Sequence, residues 1–369
     1  MACGFAGFAG RRQTARLIVS VPAHLFLIAF GWAGVLLACL FVPERAFSQI
    51  ATGVDATRSA GRVLLVGPTR NLKRPSDAAA IVRRGDTVRI DAGTYADCAI
   101  WRTPDITLSG DARGETRIRD VPCDGKALWV FYEGPAIVRN IRFSGARVAR
   151  RNGAGIRWEG RGKLTVVNAR FDDNQMGILT HNKRISSLYI MRSRFDGNGN
   201  CPEFCGHAVY AGAIASLTVQ ASAFRDHRFG HHIKSRALVS NIVGNTISDG
   251  VTGTSSYAIN LPNSGTATIR GNTIQKGRLS DNIHCAICIG EEIVPPGDPG
   301  TPGRKGSDAN PSRGILVEGN SFRNDSGAAD TVFVWNRGPH TVTLRNNILT
   351  GPGTAYFVGP KPEKPGPQQ

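Results

Sequence analysis

Apolar and polar residues alternate in short runs along most of the chain, and the runs repeat. The segments LTVVNARFDDN, LYIMRSRFDGN, LTVQASAFRDH, SNIVGNTISDG, ATIRGNTIQKG, ILVEGNSFRND and VTLRNNILTGP each place an aromatic or aliphatic anchor before a polar turn, at Phe171, Phe195, Phe224, Ile247, Ile274, Phe322 and Ile348. Most anchors lie about 25 residues apart, a period typical of stacked repeats. One interval is doubled, and it holds a Pro/Gly-rich stretch, residues 291–314, that reads as a loop inserted between coils or replacing part of one. Short alternating segments predict strands and Gly-Asn pairs predict turns, while no amphipathic helical period competes. Such a repeat cannot bury its apolar side alone, so successive coils must stack. The pattern predicts an all-β chain folded as a single-stranded right-handed parallel β-helix, a solenoid over residues 53–356. Asn245, Asn272, Asn320 and Asn346 stand two residues before their anchors, as a stacked asparagine ladder requires.

A second strand precedes the anchored one in several coils: GILTHN, AVYAG, HIKSR, AINLP and AICIG. With a period of two, Ile178, Val209, Ile233, Ile259 and Ile287 point inward. Leu179, Tyr210, Lys234, Asn260 and Cys288 then form one outward column, and His181, Gly212, Arg236, Pro262 and Gly290 a neighbouring one. Neighbouring strands are about 4.8 Å apart, so Tyr210, Lys234 and Asn260 cover a length suited to one or two sugar units. The same parity places His232 outward beside Lys234, and His231 inward at a turn. Asn263, in the phrase LPNSG that leaves the sheet, can wall this face. Trp335 projects outward and can stack on a sugar ring or cover the helix end. Arg157 and Glu159 read as a structural ion pair.

The N-terminus follows another pattern. After Arg11, Arg12 and Arg16, residues Leu17 to Val42 form an almost uncharged apolar run long enough to cross a bilayer. Residues 1–52 are therefore expected to be a signal peptide or a transmembrane anchor, with a candidate cleavage site around Ala46 and Ser48 and a lipobox-like LLAC ending at Cys39. The protein is expected to be exported: periplasmic, secreted or membrane-anchored. At the other end, residues 357–369 are Pro- and Lys-rich and expected to be disordered.

The chain has a net charge of +17. Residues 1–48 hold four arginines against Glu44, so most of the excess belongs to the folded part. A basic exported protein meets acidic polysaccharide or anionic lipid rather than nucleic acid, and a monomer is expected. Cys3 and Cys39 lie in the targeting segment. Cys98, Cys123, Cys201, Cys205, Cys285 and Cys288 remain, an even number for which disulfides are the default in an oxidising compartment. Cys285 and Cys288 face opposite sides of a regular strand, which counts against their pairing unless the strand bends.

The coils, together with RGDTVRIDAGTYADCAIWRTPDITLSGD before them, resemble the pectate-lyase-like superfamily of β-helix proteins from Arg62 to Tyr356. In that superfamily the Gly-Asp-Thr-Val and Gly-Thr-Tyr phrases belong to the first coils and cap. Where INLPNSG stands here, similar bacterial sequences read IDLPNGG, so Asn260 replaces an acid.

Cleavage of a uronate polysaccharide by β-elimination needs a cation for the sugar carboxylate, a base for the C5 proton and an acid for the leaving oxygen. Arg236 suits the first role, Lys234 or His232 the second and Tyr210 the third, with Asn260, His181, Asn263 and Trp335 as substrate-binding candidates. C5 epimerisation shares the proton abstraction. The outward column offers no carboxylate pair for hydrolysis. No cofactor is required, although Glu291 and Glu292, or Asp172 and Asp173, offer calcium-type ligands. A non-catalytic polysaccharide-binding or surface structural protein would use the same face. Burial of Lys234 separates the two classes, because a base needs partial desolvation and a binding cation does not.

Overall fold

A computed structural model describes residues 61–113, 115–200, 205–293 and 309–359. The alternation becomes a right-handed parallel β-helix, as the pattern and the resemblance imply. The described strands form three parallel sheets of 11, 10 and 10 strands. A five-residue helix, Pro75–Ala79, lies at the first coils and is the only helix among the described residues.

Stacking of like on like holds the coils together. Phe143, Phe171, Phe195 and Phe224 stack at centroid spacings of 5.2, 4.8 and 4.7 Å with nearly parallel planes, and Ile247 and Ile274 continue the column in register. Trp101, Trp129, Phe131 and Trp158 fill the earlier coils. The asparagine ladder satisfies buried backbone groups at one corner. Asn245 donates to the carbonyl of Val219 and to Asn272 Oδ1, and Asn272 donates to Ile242 and to Asn320 Oδ1. The last rung differs from the expectation. Asn320 donates to Asn347, not Asn346, and Phe322 registers with Leu349, not Ile348. The final anchor is thus shifted by one residue, and Ile348 is 64% exposed.

The strand columns agree with the predicted register. Ile178, Val209, Ile233, Ile259 and Ile287 are paired in sequence, as are Leu179, Tyr210, Lys234, Asn260 and Cys288. Strict alternation fails just before them. At the corner leading into this sheet two successive residues both face the core, as Ala208 and Val209, Ala258 and Ile259, and Ala286 and Ile287 show. The chain turns there, and parity inverts on the N-terminal side of the bend. Cys285 and Cys288 consequently lie together in an outer apolar cluster with Val332 and Trp335, and they are disulfide-bonded. Cys98 and Cys123 are also bonded, with S–S 2.05 Å, and Cys205 is in a disulfide.

Among the described residues no helix is long and apolar enough to cross a membrane. The expected transmembrane segment is corrected accordingly, and the run Leu17–Val42 that prompted it lies outside the described residues, as do Cys3, Cys39 and Cys201. The last strand, Thr354–Val358, extends two residues into the stretch expected to be a tail. Residues 294–308 of the inserted loop also lie outside the described residues.

Candidate functional site

The strands carrying Tyr210 and Lys234 form the floor of a groove of about 1020 Å³, and Tyr257, three residues before Asn260, lines it as well. Arg150, Asn152 and Arg157 from earlier coils line one side, and Glu291 and Glu292 another. Arg157 is held by Glu159 at 2.7 Å, the ion pair read from the sequence.

Lys234 and Arg236 face outward, two residues apart on the strand Ile233–Ser235 and its exit. Lys234 Nζ donates to Glu292 Oε1 at 2.7 Å. Arg236 donates to the other Glu292 oxygen, to Asn263 Oδ1 at 2.8 Å and to the Tyr210 hydroxyl oxygen at 2.9 Å. Lys234 also lies 5.6 Å from the centre of the Tyr210 ring. These bonds use all three guanidinium nitrogens, so Arg236 is fixed in one orientation. Burial acts to raise the Glu292 pKa, but Lys234 and Arg236 outweigh it and hold the carboxyl below its ordinary range.

Glu291 has the opposite environment. Burial pushes its pKa up, with the neighbouring Glu292 charge adding to the shift. Its carboxylate accepts from Asn260 Nδ2 at 2.9 Å, and it shares a hydrogen bond with Tyr257. Asn260 is fully buried, and its Oδ1 has no hydrogen-bond partner among the described residues. Two adjacent glutamates are therefore driven apart in acidity at the edge of one groove. The carboxylate pair missing from the outward column is supplied by the loop after Ile289.

The corner inversion exchanges the two histidines of GHHIKSRA. His232, expected outward as a candidate base, is 1% exposed and faces the core. Its Nε2 lies 2.9 Å from Asp249 Oδ1, and its ring packs edge-on against Phe224. His231, expected inward, lies on the groove floor. It stacks between His207 and Tyr257 at centroid spacings of 4.8 and 4.7 Å. His207 was not among the residues singled out from the sequence. The signal for it is an offset: His207, His231 and Tyr257 each stand three residues before Tyr210, Lys234 and Asn260. Burial pushes the pKa of both His207 and His231 well below the histidine range, and Lys234 lowers both further.

Beneath the groove, Asp249 organises a sealed polar cluster. It accepts from Gly277 N at 2.9 Å, from Ser280 Oγ at 2.6 Å and from Ser255 Oγ. Lys276 is 1% exposed, donates to the Ser256 carbonyl and has its pKa lowered to about 8 by burial. His227 Nε2 donates to the Gly206 carbonyl at 3.0 Å, and burial lowers its pKa to about 3.

Two other candidates lie away from the groove chemistry. His181 is committed to a turn: Nδ1 accepts from Lys183 N at 2.7 Å, and Nε2 lies 2.8 Å from the Gly160 carbonyl. Trp335 is covered by the last strand. Its indole donates to the Gly359 carbonyl at 2.8 Å and meets the Phe357 ring edge-on at 5.6 Å, so its outer position serves packing. Asn263 is brought to the site by Arg236. Among the described residues no group of three or more His, Cys, Asp or Glu is placed to hold a metal ion. Asp172 is paired with Arg142 and Asp173 with Arg147 and Arg228.

No protein-family model matches the chain, and no curated protein sequence matches it. Among solved structures, the chain is similar to the pectate lyase Pel9A, with 13% identity over 82% of this chain and 79% of that one and a TM-score of 0.47. It is similar to the AlgE6 mannuronan C-5 epimerase A-module of Azotobacter vinelandii, with 13% identity, coverage of 81% and 88%, and a TM-score of 0.42. It is also similar to the pectin methylesterase of Aspergillus niger, with 11% identity, coverage of 79% and 88%, and a TM-score of 0.40.

Proposed function

We propose that this is an exported carbohydrate-active protein whose groove binds an acidic, uronate-containing polysaccharide and acts on it by C5 proton abstraction, as a lyase or an epimerase. The observation that carries this reading is Lys234, only 9% exposed on the floor of a walled groove and flanked by Arg236 and Tyr210. A face that merely attracts polyanions has no reason to desolvate its cation, whereas a base does.

In this reading the incoming sugar carboxylate competes with Glu292 for Lys234 and Arg236. Displacing Glu292 leaves Arg236 oriented to stabilise negative charge developing beside C5. Lys234, once it has released its own proton to the groove solvent, takes the C5 proton through its free amine. Tyr210 accepts from Arg236 through its oxygen and so keeps its own proton to give to the leaving oxygen.

A second reading rests on the glutamates. Glu291 and Glu292, with pKa values pushed in opposite directions, supply an acid and a base for hydrolysis.

The test is incubation of the purified protein with a panel of polyuronates, with calcium and with a chelator. Absorbance near 235 nm is expected to rise through unsaturated uronate on at least one polymer, or C5 to exchange with deuterium without cleavage. New reducing ends without absorbance would favour hydrolysis. Salt-sensitive binding with none of these changes would reduce the protein to a binding module.

A further inference from the structure

His207 and His231 take no part in the reaction outlined above, yet their hydrogen bonds define their chemistry. His207 Nδ1 accepts from His231 N at 3.0 Å, and His231 Nδ1 accepts from Tyr257 N at 3.2 Å. A neutral imidazole that accepts at Nδ1 carries its proton on Nε2. The two rings are stacked 4.8 Å apart with planes only 12° apart. Their Nε2–H groups therefore lie side by side, about one strand spacing from each other.

Neither Nε2 has a hydrogen-bond partner among the described residues, although the rings are only 6% and 8% exposed and both line the groove. Each Nε2–H opens to the groove, where water or a ligand can take it, and the two donors share one spot. A second proton on either ring would break a buried backbone hydrogen bond and add charge beside Lys234. These histidines can donate but not accept, which removes them as the base and leaves binding.

We propose that His207 and His231 form a two-donor fork that holds one carboxylate of an acidic sugar, one oxygen on each Nε2–H, and so selects acidic sugars over neutral or esterified ones. Converging N–H···O bonds of about 2.9 Å can span the distance between the rings. The stack supplies the rigidity, because each ring is pinned to the backbone of the next coil. The fork belongs to the same groove and rests on the acidic-polysaccharide reading for its natural ligand.

The test is nitrogen NMR of the protein labelled with [15N]histidine, titrated with acetate, trigalacturonate, trimannuronate and methyl-esterified trigalacturonate. Both rings are expected as the Nε2–H tautomer between pH 6 and 8. Both Nε2 signals should move with acetate and with an acidic trimer, and not with the ester. His207→Phe and His231→Phe keep a flat ring and lose the donor, and should weaken binding of the acidic trimer by roughly 10- to 100-fold. The corresponding Gln variants keep a donor and should recover most of it. An Nδ1–H tautomer, no response to acetate or either uronate, or unchanged affinity in the Phe variants would overturn the fork. A response to acetate without binding of either trimer would keep the fork and overturn the polysaccharide reading. Should the Phe variants fail to fold, the tautomer and the acetate titration of the unaltered protein decide alone.

Discussion

Two polar clusters meet at the strand Ile233–Ser235, and they use the same residue types to opposite ends. Outside, Lys234 and Arg236 face Glu292 in an open groove. Inside, Lys276 and His232 surround Asp249 in a sealed core. Each joins basic side chains to a carboxylate across coils. The outer cluster can exchange its carboxylate for a ligand's, because solvent reaches it and Glu292 lies on a loop. The inner one cannot, because Asp249, His232 and Lys276 are all buried within the wall. In a solenoid the chemistry of a residue follows from the side of the wall on which it lies, and two adjacent histidines here have different fates.

That contrast can be broken most severely from the inside. Asp249→Ala strips the sealed cluster of its only carboxylate among the contacts described and is expected to destabilise by about 3–5 kcal/mol, read by denaturant unfolding. Lys234→Ala sharpens the contrast from the other side. Catalytic turnover should fall by about 10²- to 10⁴-fold, with a stability loss of only about 1–2 kcal/mol, because Glu292 keeps Arg236. Unchanged turnover in that variant would remove Lys234 as the base.

Acidity separates the clusters next. His207, His227 and His231 are neutral in the folded state, with pKa values lowered by burial, whereas unfolded histidine takes up a proton below about pH 6.5. The stability they permit is complete above that pH and declines as pH falls towards the folded values. Asp249 is held below the usual carboxylate range despite its burial, chiefly by His232, so its contribution is lost only at still lower pH. Lys276 acts in the alkaline range. Its folded pKa of about 8 lies below the unfolded value of ~10.4, so the urea midpoint should rise as pH passes above 8. A midpoint that is flat from pH 8 to 4 would contradict the neutral histidines. The smallest effect is expected from Glu292→Gln, which frees the two groove cations. It should tighten polyuronate binding by about fivefold or less and steepen its salt dependence.

Much of this was legible in the chain. The repeated inward Ile and Val residues set the register that brings Tyr210, Lys234 and Asn260 into one column, and a period of two carries that information without further context. The histidines were misread because a corner admits two consecutive inward residues, and strict alternation crosses it with the wrong phase. Glu291 and Glu292 were visible as acids on an adjoining loop, but nothing in a linear pattern says that a loop folds back onto a rung two coils earlier. His181 and Trp335 had the right residue types at outward positions. Their polar atoms are occupied by the Gly160 and Gly359 carbonyls, contacts made by turns and by the final coil.

The sequence by itself determined the solenoid, the stacking of its coils and the identity of the basic rung, because these follow from local alternation repeated at a constant period. Only the tertiary structure decided which histidine faces the groove, which carboxylate meets the cations and which donors remain unpaired. Those outcomes depend on bends and on contacts between residues distant in the chain, where a shift of one residue reverses the side on which a side chain emerges.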